Sequence, residues 1–447
     1  MNRPSTKKVA SILLSLTMVL GILAGCASKE DSDASSSAPA GESGKKVTLH
    51  MIESLTSPTR TDSLKAILAD FEKANPNIKV DLISPPFDQA DNKITTMLAA
   101  NQDLDVMEAR DLNVGELVNN EYIEPLDTYT AAWKDFATVS GTAKAVGTVQ
   151  GKLYFLANAM YQRQLFYRKD WFEEKGLKVP TTYQEIYEVG KQLTDPAKNR
   201  YGFSFRGGSG SNGTSDAMIL SYNADNDNLE DSQFLKDGKT IYSSPEAKQA
   251  MELYVKIYKE ASPKDSINWG FNEQVQAFTS GVTAMLLQDP DAIQGIQEKM
   301  KEGTWATAPI PVGPTGKALV ATGAAGWAMV ANSKNKPEAW KLIEFLSNPE
   351  QNLKIAKSTG VIALHTTAST DPFFQTGPYK TLLDMSAKAD VFVNYKPAFE
   401  YEGTGQWNKI TMEANQALLF DKATLEDTLK GWDAFWVDQK EIQSKKK

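Results

Sequence analysis

Thiols and imidazoles are nearly missing from this chain of 447 residues: Cys26 is its only cysteine, and His50 and His365 are its only histidines. A lone thiol excludes an intramolecular disulfide framework and leaves no cysteine pair for a metal. The histidines lie far apart and neither stands in an H-x-x-x-H or C-x-x-C spacing, so a histidine-built zinc or nucleophile site has no support. His50 alternates with Val47 and Leu49 and is expected to be structural. No metal and no cofactor is expected. Positive charge is in deficit too: the net charge of −8 repels phosphate backbones and argues against nucleic-acid binding. A Walker A sequence is absent, because Gly238-Lys239-Thr240 lacks the glycine five positions before Gly238. Beyond the N-terminal segment no apolar run is long enough to span a membrane.

What is present begins with an export signal. Residues 1–8 carry Arg3, Lys7 and Lys8 without an acid, and the uncharged, mostly apolar run 9–24 follows. That run is shorter than the roughly 20 residues a spanning helix needs, so residues 1–25 read as a signal peptide. Leu23-Ala24-Gly25-Cys26 resembles the bacterial lipobox, in which the cysteine sulfur is acylated and the chain is cut before it. The alternative is an ordinary cleavage site with a small residue. Removing residues 1–25 takes away three positive charges and no negative one, moving the net charge from −8 to −11. Residues 27–46 are small and polar and offer nothing to bury, so 26–46 is expected to be a lipidated tether with a reach of roughly 25 Å. Such an anchor suits a Gram-positive cell, whose exported protein would otherwise diffuse away.

From Val47 the chain alternates strand and helix. Residues 47–52 and 78–83 are β-type runs; between them Leu64, Ile67, Leu68 and Phe71 recur at helical spacing behind Asp62 as a cap. Ile94, Met97 and Leu98 mark a second helix before a strand over 104–107. This βαβα order implies an α/β fold with a largely parallel sheet, whose ligands bind beyond the carboxyl ends of the strands. The loops 53–61 and 108–112 therefore matter. Later helices open at Ser244-Pro245 and at Pro337.

Five stretches carry a family resemblance: Phe71-Glu72-Lys73-Ala74-Asn75-Pro76-Asn77-Ile78-Lys79-Val80, Gln150-Gly151-Lys152-Leu153-Tyr154, Leu165-Phe166-Tyr167-Arg168-Lys169-Asp170, the run 277–285, and Gly326-Trp327-Ala328-Met329. Each is loose alone, but their order and spacing make the chain resemble the family 1 extracellular solute-binding proteins, the maltose-binding-protein type. The resemblance implies a two-lobed periplasmic-binding-protein-like (type II) fold with discontinuous lobes, a hinge, and a sugar held between them. The first lobe would hold 47–158 plus 312–361 and the second 159–308 plus 365–440, with crossings near 157–161, 308–311 and 360–364. It further implies a monomer that captures a carbohydrate and docks on the permease subunits of an ABC importer, meeting the membrane only through its lipid.

Sugars present CH faces and hydroxyl edges, so their sites need aromatic planes beside hydrogen-bonding groups. Trp327 matches a position where the family often places a cleft residue and is read as a ligand residue before a core one, and Trp269 reads as a loop tryptophan that can equally be core. Where many relatives carry an aromatic after a Gly-Pro pair, this chain has Gln288-Asp289-Pro290-Asp291. Asp289 or Asp291 can accept from sugar hydroxyls, or cap the helix that follows. Arginine is scarce, seven against 41 lysines, and four of the six beyond the signal peptide fall in loops the fold turns towards the cleft: Arg60, Arg110, Arg163 and Arg206. Their planar forks suit carboxylates or paired hydroxyls. An acidic sugar is therefore one reading and a neutral sugar the default. Asp111 is a further ligand candidate, or a structural partner of Arg110, and Tyr161 lies at the first crossing. Gly208-Ser209-Gly210-Ser211-Asn212-Gly213 satisfies the dinucleotide pattern literally, but alone it reads as a cleft-edge loop from which Asn212 and Asp216 can reach a ligand. The rival class is a secreted glycoside hydrolase, which needs two carboxylates across a glycosidic bond. No catalytic signature frames such a pair, and the chain is expected not to be an enzyme.

Overall fold

Val47–Ile52 (β1) buries Leu49, Met51 and Ile52 completely and runs parallel to Ile78–Ile83 (β2) on one side and Val106–Arg110 (β3) on the other. The structure is a computed structural model that describes residues 46–399 and 401–445; Cys26, the signal segment and the tether lie outside the described residues. The helix Pro58–Ala74 joins β1 to β2 and buries Leu64, Ile67, Leu68 and Phe71 on one face. It starts four residues before the Asp62 expected to cap it. Ser57 accepts from the Arg60 N–H at 3.3 Å and Pro58 occupies the first turn, where a missing N–H costs nothing.

The chain then makes a short hairpin, Thr148–Val149 (β4) with Lys152–Leu153 (β5), and enters Leu156–Tyr161 (β6). Gln164–Tyr167 (β7), Tyr201–Phe203 (β8), Thr283–Gln288 (β9) and Ala306–Ala308 (β10) follow, then Ala318–Val320 (β11), Gly323–Met329 (β12) and Phe392–Asn394 (β13). The first sheet has the order β2-β1-β3-β12-β6, with β12 antiparallel to both neighbours. The second has the order β10-β7-β9-β8.

Each sheet carries its own apolar core. Residues of β1, β3, β6 and β12 pack with the helices Pro58–Ala74 and Lys336–Ser347 in one cluster. Residues of β8 and β9 pack with the helices Pro245–Ala261 and Leu425–Ser444 in another. A smaller cluster containing Ala159, Phe166, Phe278, Leu286 and Val361 lies where the chain passes from one to the other. These are two lobes, and both are discontinuous in sequence. The first crossing is Gln162–Arg163, between β6 and β7. The second falls later than expected: residues 312–320, read as first lobe, belong with the second. Val312 pairs with Thr182, β11 pairs with β13, and Ala318, Leu319 and Val320 are buried in the second core. The chain returns to the first sheet only at Gly323. Gln162, Thr322 and Asn394, from three passing segments, are tied together: the Gln162 amide donates to Thr322 Oγ1 (2.7 Å) and Asn394 Oδ1 (3.2 Å).

Candidate functional site

The carboxyl end of β3, the β6–β7 crossover and the glycine-rich loop after β8 face one cavity of about 530 Å³. Its first-lobe wall begins where β3 runs directly into the helix Asp111–Asn119. Asp111 Oδ2 accepts from the Ala324 N–H and Oδ1 from the Leu112 N–H, both at 2.8 Å. Burial nevertheless pushes its carboxyl up to about 6, against the pull of those bonds and of Arg110. Arg110 pairs with Asp91 at 2.8 Å and stands 5.4 Å from the Phe87 ring, so the Arg110–Asp111 bridge is not formed. Tyr161, at the end of β6, lies against Gly323, where a Cβ would come within 2.1 Å of its ring. Its phenol is pushed up, first by burial and then by the charge of Asp111.

The second-lobe wall is more cationic. Arg163 lies over Gly213, and Arg206 over Gly210; a Cβ at either glycine would fall 2.4–2.5 Å from a guanidinium. Arg206 Nε donates to the Ser209 carbonyl at 2.6 Å. Burial, then the like charge of Arg163, lowers Arg206 to about 10. Asn212 opens the helix Asn212–Tyr222, and Asp216 sits one turn on, accepting from Trp407 Nε1 (2.8 Å) and from the Tyr242 hydroxyl (3.3 Å). Burial raises Asp216 to about 7. Trp407 is held by the helix Leu425–Ser444, stacked on Phe435 at 5.2 Å and edge-on to Trp432 and Trp436. Asp289, just past β9, completes the wall.

Eight expected residues thus meet in this cavity: Arg110, Asp111, Tyr161, Arg163, Arg206, Asn212, Asp216 and Asp289. Four do not. Trp327 is 1% exposed in the first core, because it stands mid-strand in β12 with β3 and β6 on either side. Arg60 is 6% exposed and donates to Glu108, whose carboxylate also accepts from the Ser54 and Leu55 N–H groups at 2.8 and 2.9 Å. Trp269 is half-buried beside the glycine loop, its carbonyl accepting from the Gly208 N–H. Asp291 stands at the N-cap position of the helix Ala292–Lys299, outside the lining; its surface is open to solvent, yet the crowding of protein around it and the like charge of Asp289 push its carboxyl up to about 7.

The sequence reading missed Tyr395, Phe399 and Trp407, which also line the cavity. Their only signal is an aromatic-Lys-Pro-Ala-aromatic segment and a tryptophan after Gly403-Thr404-Gly405, which composition does not separate from core aromatics. A hollow of about 670 Å³ adjoins, sharing Asp111 and Tyr395, while a third of about 570 Å³ beside Trp305 contains none of the expected residues. Among the described residues no group of three or more His, Cys, Asp or Glu side chains is placed to hold a metal ion, and no helix is long and apolar enough to cross a membrane.

The family of bacterial extracellular solute-binding proteins matches residues 57–353. A binding protein of Brucella abortus (strain 2308) is 27% identical over 400 residues, covering 88% of this chain and 92% of its own. The polygalacturonan/rhamnogalacturonan-binding protein of Bacillus subtilis (strain 168) is 27% identical over 199 residues, 42% of this chain and 38% of its own. Among solved structures, maltose-bound MalE3 of T. maritima has a TM-score of 0.76 at 22% identity, covering 89% of this chain and 100% of that one, and shares the two-lobed fold. With most of its length matched and both lobes in place, the chain belongs to the bacterial extracellular solute-binding proteins.

Proposed function

We propose that this protein captures a carbohydrate, in particular an oligosaccharide, between its lobes and delivers it to the permease subunits of an ABC importer from the outer face of the cell membrane. One observation carries the reading: a single cavity draws polar groups from both lobes, Asp111 from the first and Arg163, Asn212 and Asp289 from the second, around the rings of Tyr161 and Tyr395. Its size lies within the roughly 300–1,000 Å³ of small-ligand sites, and aromatic planes beside fixed hydrogen-bonding groups are what sugar rings need. A ligand that touches both walls favours the arrangement in which they meet, a population shift by differential contact that gives a permease something to read. The maltose held by the T. maritima protein and the polygalacturonan and rhamnogalacturonan named for the B. subtilis relative support the ligand class.

The test is a thermal-shift screen over neutral and acidic mono- and oligosaccharides, with the sugars recovered and sized afterwards. Stabilisation with the sugar unchanged supports capture. Hydrolysis would need an acid and base pair, and the carboxylates of the cavity besides Asp289 are Asp111 and Asp216. Both oxygens of each are already engaged, Asp111 by two backbone N–H groups and Asp216 by Tyr242 and Trp407, which favours positioning over catalysis.

The anchor is part of the same proposal and rests on the lipobox at Cys26. Cys26→Ala should abolish labelling by a fatty-acid probe and leave protein unprocessed or shed. An unmodified Cys26 in the mature wild-type chain, seen by mass spectrometry, sinks it.

A further inference from the structure

Four of the six arginines in the described residues are neutralised. Arg60 donates to Glu108, Arg110 pairs with Asp91, Arg168 with Asp170, and Arg200 stands 3.8 Å from Glu174. Arg163 and Arg206 make no ion pair among the described residues, and both line the cavity. A guanidinium does not shed its proton in a protein, so two of them side by side, partly buried, are held at a cost in free energy. The loop after β8 is shaped around them. Gly210 and Gly213 leave bare backbone where each guanidinium lies, and any Cβ there would collide with it. The helix Asn212–Tyr222 begins at the same place, so its positive end adds to the field. The remaining charged groups of the cavity stand apart in role: Arg110 is matched by Asp91, Asp111 and Asp216 are tied to their own hydrogen-bond donors, and Asp289 makes no ion pair among the described residues. In a chain of net charge −8, this is a local cationic spot without an ion-paired partner, with Asp289, Asp291 and Glu273 acting on Arg206 only from a distance.

We propose that the ligand is an acidic oligosaccharide, its uronate carboxylate set between Arg163 and Arg206 and its hydroxyls turned to Asp289 and Asn212. Through two charge-assisted forks the carboxylate supplies the ion-pair partner that neither guanidinium has in the fold, and Asp289 repels it from the opposite orientation. The inference rests on the cavity being the carbohydrate site proposed above.

Calorimetry on the purified full-length protein tests it with trimers of galacturonate, glucuronate and mannuronate, their carboxyl-reduced counterparts, and hexose phosphates. One of the uronates should bind at least about tenfold tighter than its reduced form, a preference that shrinks with added salt. Arg163→Gln and Arg206→Gln should each cost the uronate about tenfold or more affinity beyond whatever they cost the reduced sugar, so that the uronate preference collapses. Unchanged melting temperatures would show that both variants fold. Equal or tighter binding of every reduced trimer overturns the acidic ligand and leaves carbohydrate capture standing. Tighter binding of a hexose phosphate keeps an anion site but overturns the uronate. Failure of all these sugars to bind overturns both this inference and the reading it rests on.

Discussion

Asp227 has no exposed surface, and neither of its carboxylate oxygens has a hydrogen-bond partner among the described residues. Burial pushes its pKa up to about 8; the nearby Asn228 N–H, which is bonded to the Phe234 carbonyl, and then Lys236 pull the other way, and Asp231 adds to the rise. The folded chain therefore keeps a proton that the unfolded chain releases near 3.8. By linkage the stability is full below the unfolded value and is lost as pH climbs towards the folded one, here between about 4 and 8. Asp216 adds a slope of the same sign up to about 7. The melting temperature should fall from pH 5 to 8.5, and fall less in Asp227→Asn; parallel curves for the two proteins would remove Asp227 from this account. Two aromatic residues separate packing from binding. Trp327→Ala should destabilise the ligand-free protein by about 3–5 kcal/mol, as for a buried tryptophan, with affinity per folded molecule unchanged. Tyr161→Ala should instead weaken sugar binding by about 2 kcal/mol, read by calorimetry at unchanged fold. The sequence could not separate these roles. Gly-Ala-Ala-Gly before Trp327 suits a cleft lip as well as close strand pairing, and the structure shows the second: a Cβ on Gly326 would sit 1.8 Å from the Leu156 carbonyl oxygen. The scarcity of arginine is a better guide to the cavity lining, since it singles out Arg163 and Arg206. It also gathered Arg60 and Arg110, whose partners Glu108 and Asp91 lie 48 and 19 residues away and carry no local mark.

At the scale of elements, the helix Pro349–Thr359 is bound to β6 by a buried amide network. Asn352 donates to the Asn158 carbonyl (3.0 Å) and side chain (3.1 Å), and accepts from the Leu364 N–H (2.8 Å). His365 joins it through the Ser347 carbonyl at 2.7 Å and Thr138 at 2.8 Å. Asn352→Leu should cost about 1–3 kcal/mol, because it strands a buried N–H and an amide; denaturant unfolding measures it, and a neutral result would make the network incidental. Gly326→Ala in β12 should cost a similar amount by overpacking, about 1–3 kcal/mol. The βα alternation over the first hundred folded residues was readable because amphipathic spacing is local. The start of Pro58–Ala74 was missed although Ser57-Pro58 is a cap signal; Asp62 one turn later gives the same signal. The late return to the first lobe was not readable at all. β11 is three residues long, and its place is set by pairing with β13, some 70 residues further on.

At the scale of the whole molecule, the chain passes between two cores through short segments, and the cavity lies where those segments and the strand ends converge. The Gln162–Thr322–Asn394 tie joins three of them beside the cavity, so Thr322→Val should shift the equilibrium between lobe arrangements. Small-angle scattering with and without sugar reads that shift, and identical profiles for variant and wild type would exclude it. On the proposed function, each chain captures sugar at one site and leaves it chemically unchanged. The most direct measurement is a calorimetric titration with the sugar that stabilises the protein most, followed by chromatography of that sugar. Saturation at one sugar per chain is expected, with the sugar recovered at its original length. Recovery of shortened sugar, or the absence of saturable binding across the whole saccharide panel, would contradict it.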